Sequence, residues 1–252
     1  MKTEILQKNL IHLKSHHPEV YKVVKDPNYN KNYEVTLSKS GIPTLSYIKP
    51  NKNKIYLLSK YDPLHEAKKL ISSINAYDST NFIVLGLGFG YQVMELIKSV
   101  PEHSKIIVIE TDKNLARLAF ETNDLSHILT FPGLNICITN QIKKISSLLE
   151  NEKIAFSLNG YKIIEQNSLS YINSVFFKDI RKEIENFFQA SLVEIKTQTT
   201  KSKTFYKNIS GNYKNIISSP GIKKLKNLMK NIPAIICSAG PSLDKNIQLL
   251  KA

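Results

Sequence analysis

From Asn81 onward the chain alternates short apolar runs with amphipathic stretches, and few folds can satisfy that pattern. Asn81-Phe-Ile-Val-Leu85, Lys105-Ile-Ile-Val-Ile-Glu110 and Leu134-Asn-Ile-Cys-Ile-Thr139 are rich in β-branched residues and mostly apolar on both faces. Such runs are strands buried between two layers. Helical spacing separates them at 91–100, 114–123 and 142–150. Strands and helices alternating at this length specify an α/β fold: a Rossmann-like, doubly wound parallel sheet with right-handed crossovers. Ile154–Leu158 is the expected fourth strand.

The preceding residues obey other rules. Residues 1–20 read as one helix, with Ile5, Leu6, Leu10, Ile11 and Leu13 on its apolar side and Pro18 near its end. Tyr33 to Ser38, Thr44 to Lys49 and Lys54 to Leu58 read as a small antiparallel meander that turns at Gly41. A helix follows from Pro63, with Asp62 as its cap. From Ser168 to Lys230 the chain is almost wholly helical, with a break at Pro220-Gly221. Ala234 to Cys237 is a last apolar strand, Ser238 to Gly240 a tight loop, and Pro241 opens a helix. The expected divisions are a small α+β cap over 1–78, a Rossmann-like domain over 79–166, a helical connector over 167–231, and the start of a second α/β domain over 232–252. A strand and helix of this type normally open a doubly wound domain, so the chain reads as the front part of a longer protein.

A net charge of +14 raises nucleic acid or an anionic surface as a partner. Arg117 and Arg181 are the only arginines, however, and arginine is the preferred fork for phosphate. Dedicated nucleic-acid binding is therefore not expected. Between Ser191 and Lys230 nine lysines face the single acid Glu194. That stretch reads first as a solvated helical face, and otherwise as a positive wall beside an anionic nucleotide-sugar, a membrane or a partner. No run approaches the ~18 apolar residues of a membrane span, and the N-terminus lacks a signal-peptide core, so the expected location is cytoplasmic. Cys137 and Cys237 sit in strand runs as small apolar residues. His12, His16, His17, His65, His103 and His127 are scattered without metal-ligand spacing, so no metal site is expected.

Two places could carry chemistry. Gly86, Gly88 and Gly90 let the backbone turn sharply and let a ligand approach. Glu110 closes the next strand, where nucleotide-binding sheets place an acid on ribose hydroxyls. The spacing is similar to the first motif of S-adenosylmethionine-dependent methyltransferases, but Val84 stands where that motif usually has an acid. The loop therefore reads as a structural turn, a nucleotide or sugar site, or a methyltransferase site. The second place is Gly240-Pro241-Ser242, where free amides and the dipole of a helix start suit a phosphate. Asp62, Glu66 and Asp244 read as caps and first-turn partners of helices.

Four stretches together resemble the motility accessory factor family of flagellin glycosyltransferases, a group that shares a domain with an archaeal 6-hydroxymethylpterin diphosphokinase. They are Leu58-Ser-Lys-Tyr-Asp-Pro-Leu-His-Glu-Ala, Val84-Leu-Gly-Leu-Gly-Phe-Gly-Tyr, Thr204-Phe-Tyr-Lys-Asn-Ile-Ser-Gly-Asn-Tyr-Lys-Asn-Ile and Pro233-Ala-Ile-Ile-Cys-Ser-Ala-Gly-Pro-Ser-Leu-Asp-Lys-Asn. The resemblance implies an N-terminal Rossmann-like domain followed by a sugar-nucleotide domain related to sialyltransferase folds. It implies transfer of a nonulosonic acid, pseudaminic or legionaminic in type, from a CMP-activated sugar to flagellin Ser or Thr. Gly240, Pro241 and Ser242 would then be the first edge of the donor site, with the catalytic groups past Ala252. Two other functions stay open: a methyltransferase-like or diphosphokinase enzyme, and a non-catalytic module that binds flagellin.

Overall fold

The computed structural model describes residues 2–26, 32–166, 168, 171–228, 230–233 and 240. The predicted strand at 234–237 and helix from 241 lie outside them, as do Cys237 and Asp244. By internal contacts the chain divides into two units, Met1–Thr197 and Gln198–Ala252.

The first unit opens with two helices rather than one: α1 (Lys2–His16) and α2 (Pro18–Val24). Pro18 cannot donate the amide that would extend α1, but its fixed φ suits a first helical position, so it starts a helix instead of ending one. The meander follows as β1 (Tyr33–Leu37), β2 (Pro43–Ile48) and β3 (Lys54–Tyr56), antiparallel in that order. Tyr33 lies opposite Tyr47, and Ser46 opposite Tyr56. Helix α3 (Pro63–Ser73) starts where Asp62 accepts the His65 amide at 3.0 Å.

The main sheet holds β4 (Asn81–Leu85), β5 (Lys105–Glu110), β6 (Leu134–Ile138) and β7 (Lys162–Glu165), all parallel, in the order β6-β5-β4-β7. Helices α4 (Tyr91–Ser99), α5 (Lys113–Thr122) and α6 (Ser126–Leu129) occupy the connections on one side. There Phe82, Val84, Ile106 and Val108 join a core shared with α1, α3 and the meander. The alternate residues Ile83, Leu85, Ile107 and Ile109 face a second core. It is closed by α7 (Ile142–Asn151), α8 (Lys153–Asn159) and the first part of α9 (Ser174–Ser218). The sheet is therefore doubly wound, as its apolar runs required.

One predicted strand is wrong. Ile154–Leu158 belongs to helix α8, with Phe156 buried against the sheet, and the fourth strand is β7. A five-residue apolar run has no period that separates helix from strand. The stop signal was Asn159-Gly160: Gly160 has φ +72, which ends α8 and lets β7 begin.

Both arginines are structural. Arg117 donates to the carbonyls of Val24 and Lys25 at the end of α2 and pairs with Glu121. Arg181, on α9, pairs with Glu165 at the end of β7. Buried Asn9 donates to the Phe120 and Asn123 carbonyls and accepts the Leu125 amide, so α1 is tied to the end of α5.

In the second unit, α9 continues to Ser218 and a short 3-10 turn spans Ile222–Leu225. Among the described residues no helix is long and apolar enough to cross a membrane.

Candidate functional site

The glycine loop needs its glycines for backbone reasons. Gly86, Gly88 and Gly90 have φ of +90, +54 and +80, the left-handed region that side chains resist. Between them Leu87 and Phe89 turn inward and are fully buried. A Cβ on Gly90 would stand 2.8 Å from the Leu125 side chain. The loop carbonyls are also engaged: Gly86 O accepts from the Gln92 amide at 3.0 Å, and Phe89 O from Asn123 at 2.8 Å. Every residue from Gly86 to Tyr91 is buried.

Glu110 stands at the expected strand end and is 2% exposed. One carboxylate oxygen accepts the Leu87 amide at 2.8 Å; the other accepts the amides of Thr111 at 2.7 Å and Asp112 at 2.9 Å. Burial pushes its pKa up, against the lowering effect of those three amides. The acid that a nucleotide site would turn outward here holds two loops together.

In open α/β sheets ligands sit beyond the carboxyl ends of the strands, at the point where strand order reverses. That point lies between β4 and β7, and cap side chains fill the β7 end. Gln166, the residue after β7, donates to the Glu66 carboxylate at 2.9 Å and to the Leu57 carbonyl at 3.3 Å. Glu66 also accepts the Ser59 amide at 2.9 Å, and Ser168 donates to the Leu57 carbonyl at 2.7 Å. Burial raises the Glu66 pKa, and the Ser59 and Gln166 hydrogen bonds oppose that rise. Glu66 thus does more than the first-turn role expected of it.

A cavity of about 560 Å³ opens instead over the ends of β4, β5 and β6. Gly86 and Glu110 line it, with Tyr33, Asp112, Asn114, Thr139, Lys144 and Phe177 among the other walls. Asp112 caps α5 by accepting the Asn114 amide at 2.8 Å, and its other oxygen accepts the Tyr33 hydroxyl at 2.7 Å. Burial, then the Asp112 charge, drives the Tyr33 phenol far above its ordinary pKa, so it stays a donor. Sequence reasoning missed Tyr33 and Asp112. The signal was present in Thr-Asp-Lys-Asn after a strand, a cap sequence at a ligand-facing strand end.

The cavity can bind a polar group through the lysines and amides at its rim. No group of three potential metal ligands occurs among the described residues. The structure brings Gly86 and Glu110 to one cavity, while Gly88 and Gly90 sit beneath the surface. Of the other expected site, Gly240 is half-buried in a bend, whereas Pro241 and Ser242 lie outside the described residues. Among the histidines, His17 is buried with its Nε2 3.1 Å from the Leu129 carbonyl, and desolvation lowers its pKa. Cys137 is half-buried on β6, and burial raises its thiol pKa.

Comparison with known proteins adds two findings. The family model described as 6-hydroxymethylpterin diphosphokinase MptE-like matches residues 207–252. Among solved structures, the MAf glycosyltransferase from Magnetospirillum magneticum AMB-1 aligns over 77% of this chain with a TM-score of 0.54 and 13% identity. The chain spans 35% of that protein's length. At such identity the likeness is one of fold, and it agrees with the α/β architecture read from the sequence. Spermidine synthase from Thermotoga maritima covers 48% of this chain and 51% of its own, with 16% identity and a TM-score of 0.29. MNMC2 from Aquifex aeolicus covers 53% of this chain and 51% of its own, with 14% identity and a TM-score of 0.30. No curated protein matches.

Proposed function

We propose that this chain is the N-terminal region of a glycosyltransferase that moves a nonulosonic acid from a CMP-activated sugar to flagellin Ser or Thr. The observation that carries this reading is the fold likeness to the MAf glycosyltransferase, which extends over 77% of the chain. In this reading the first unit is a scaffold. The donor phosphate would meet Gly240, Pro241 and Ser242, where the expected helix start would offer backbone N–H groups and the Ser242 hydroxyl to the charge that grows as CMP departs. The acceptor hydroxyl attacks the anomeric carbon, the bond to the CMP oxygen breaks, and a base takes the hydroxyl proton. That base belongs to the part of such an enzyme that this chain does not span.

The MptE-like match supports a second reading, a diphosphokinase acting on a pterin alcohol. The two differ in what leaves the donor. Full-length protein incubated with a CMP-nonulosonic acid and flagellin should add one sugar mass per modified Ser or Thr. AMP release from ATP with hydroxymethylpterin would favour the second reading. Ser242→Ala, which removes one hydrogen bond to a charged group, should weaken donor binding by about ten- to a hundredfold. Ser242→Asp should weaken it more, because a second anion would compete for the same helix dipole. Wild-type donor binding and transfer by Ser242→Asp would place the phosphate elsewhere.

A further inference from the structure

Helix α9 carries one series of positions along one side, at steps of three and four residues. Phe177, Ile180, Ile184, Phe188 and Ser191 are its first members, and all are buried. The series passes Ile195, Gln198 and Ser202 and resumes as Phe205, Ile209, Tyr213 and Ile216, with Tyr206 and Ile217 beside it. Three- and four-residue steps keep a stripe on one helical face. In the second stretch that stripe is open, with Ile209 61% and Tyr213 60% exposed. Ten of the nineteen exposed large apolar side chains among the described residues fall between Val193 and Ile232, so the openness is concentrated here. Lys196, Lys203, Lys207 and Lys214 form a row on the side of the helix away from the stripe, all exposed.

Two observations say what covers the stripe. The MptE-like match begins at residue 207, within the helix, so Ile209, Tyr213, Ile216 and Ile217 belong to the matched domain. Internal contacts group Gln198–Ala252 as a unit of its own, so the open stretch falls outside the unit that holds the sheet. A second copy of the chain fits poorly. It would bring together two segments of nine lysines each, with no acid between Ile195 and Lys230 to offset them. We propose that Phe205, Tyr206, Ile209, Tyr213, Ile216 and Ile217 are the surface on which the remainder of the MptE-like domain of the same polypeptide packs. This rests on the reading that a catalytic domain lies C-terminal to this chain.

The test uses the full-length protein carrying one cysteine at a time: Ile209→Cys and Tyr213→Cys on the stripe, Lys203→Cys and Lys214→Cys on the lysine row. Maleimide labelling, read by peptide mass so that Cys137 and Cys237 do not interfere, should be about tenfold slower or more at the stripe positions, since access governs thiol reaction rates. Equal rates overturn the proposal. So does slowing that appears only with phosphatidylcholine–phosphatidylserine vesicles, or only as protein concentration rises; these would indicate a lipid surface or a second copy. A photo-crosslinking benzophenone at Tyr213 should join peptides of one chain, with its partner C-terminal to Ser218, and a cross-link between two chains overturns the proposal. Neither measurement reads sugar transfer, so an intrachain cross-link without flagellin modification would sink the glycosyltransferase reading and leave this inference standing.

Discussion

The two stretches of α9 have the same spacing of apolar side chains and opposite surroundings. Over Phe177 to Phe188 the stripe meets the sheet and α8: Phe188 stacks on Phe156 with ring centroids 5.3 Å apart and lies 4.7 Å from Tyr161. Over Phe205 to Ile217 an equivalent stripe is exposed. The pattern of a helix therefore states that a partner exists, but not whether the partner lies earlier in the chain or later. Most helical stability in proteins comes from packing the apolar face, not from propensity. The two stretches should then differ sharply in what a lost side chain costs.

The largest contrast is between Phe188→Ala and Tyr213→Ala in this 252-residue chain. Removing Phe188 empties a packed aromatic cluster and should cost about 3–5 kcal/mol in urea unfolding. Removing Tyr213 should change stability by no more than about 0.5 kcal/mol. Comparable losses would break the comparison, because the second stretch would already be packed.

A smaller effect sharpens it. Glu110→Gln keeps the shape of the side chain, but its amide nitrogen would face a backbone N–H on one side. At least one buried donor loses its acceptor, at about 1–3 kcal/mol. Because Glu110 belongs to the covered region, hydrogen exchange should quicken across the sheet and over residues 177–188 while residues 205–217 stay unchanged. An equal response in both stretches would show that they unfold together.

The smallest effect is a pH dependence. Burial raises the Asp124 pKa, but the bonds from Lys8 and Ser126 outweigh it and hold the carboxyl at about 2. A carboxyl with a lowered folded pKa stabilises the fold above its unfolded value and loses that contribution as pH falls through the folded one. Lys8→Met should thus flatten the loss of stability between about pH 4 and about pH 2. For so exposed a pair the difference should stay below ~1 kcal/mol. An unchanged acid limb would show that the Lys8–Asp124 pair contributes nothing.

How legible each element was in the sequence depends on how strongly burial writes itself into residue type. β4 and β5 are buried on both faces, and their runs of Ile, Val and Phe could be little else. β7 lies at the edge of the sheet, and only Ile163 and Ile164 stand between Lys162 and Glu165. The neighbouring run in α8 is more apolar and took its place. Gly133 gave no signal at all: a Cβ there would meet the Ser104 carbonyl at 1.8 Å, a close approach that only the folded pairing of β5 and β6 creates. At the candidate site, the positions of Gly86 and Glu110 were readable from spacing. The partners of Glu110 were not, because three backbone amides leave no trace in residue identity. The plug at the end of β7 was hidden for a related reason, since Glu66 and Gln166 lie a hundred residues apart.

Those three amides have an evolutionary consequence. A carboxylate that holds only main-chain groups places no demand on the side chains it serves. The residues at 87, 111 and 112 can change without touching these bonds, provided the backbone follows the same path. The whole constraint falls on the acid at 110. Sequence drift at this end of the sheet should therefore be uneven: Thr111 can diverge freely, whereas Glu110 is held by these bonds, Leu87 by its burial and Asp112 by its cap on α5 and the Tyr33 hydroxyl.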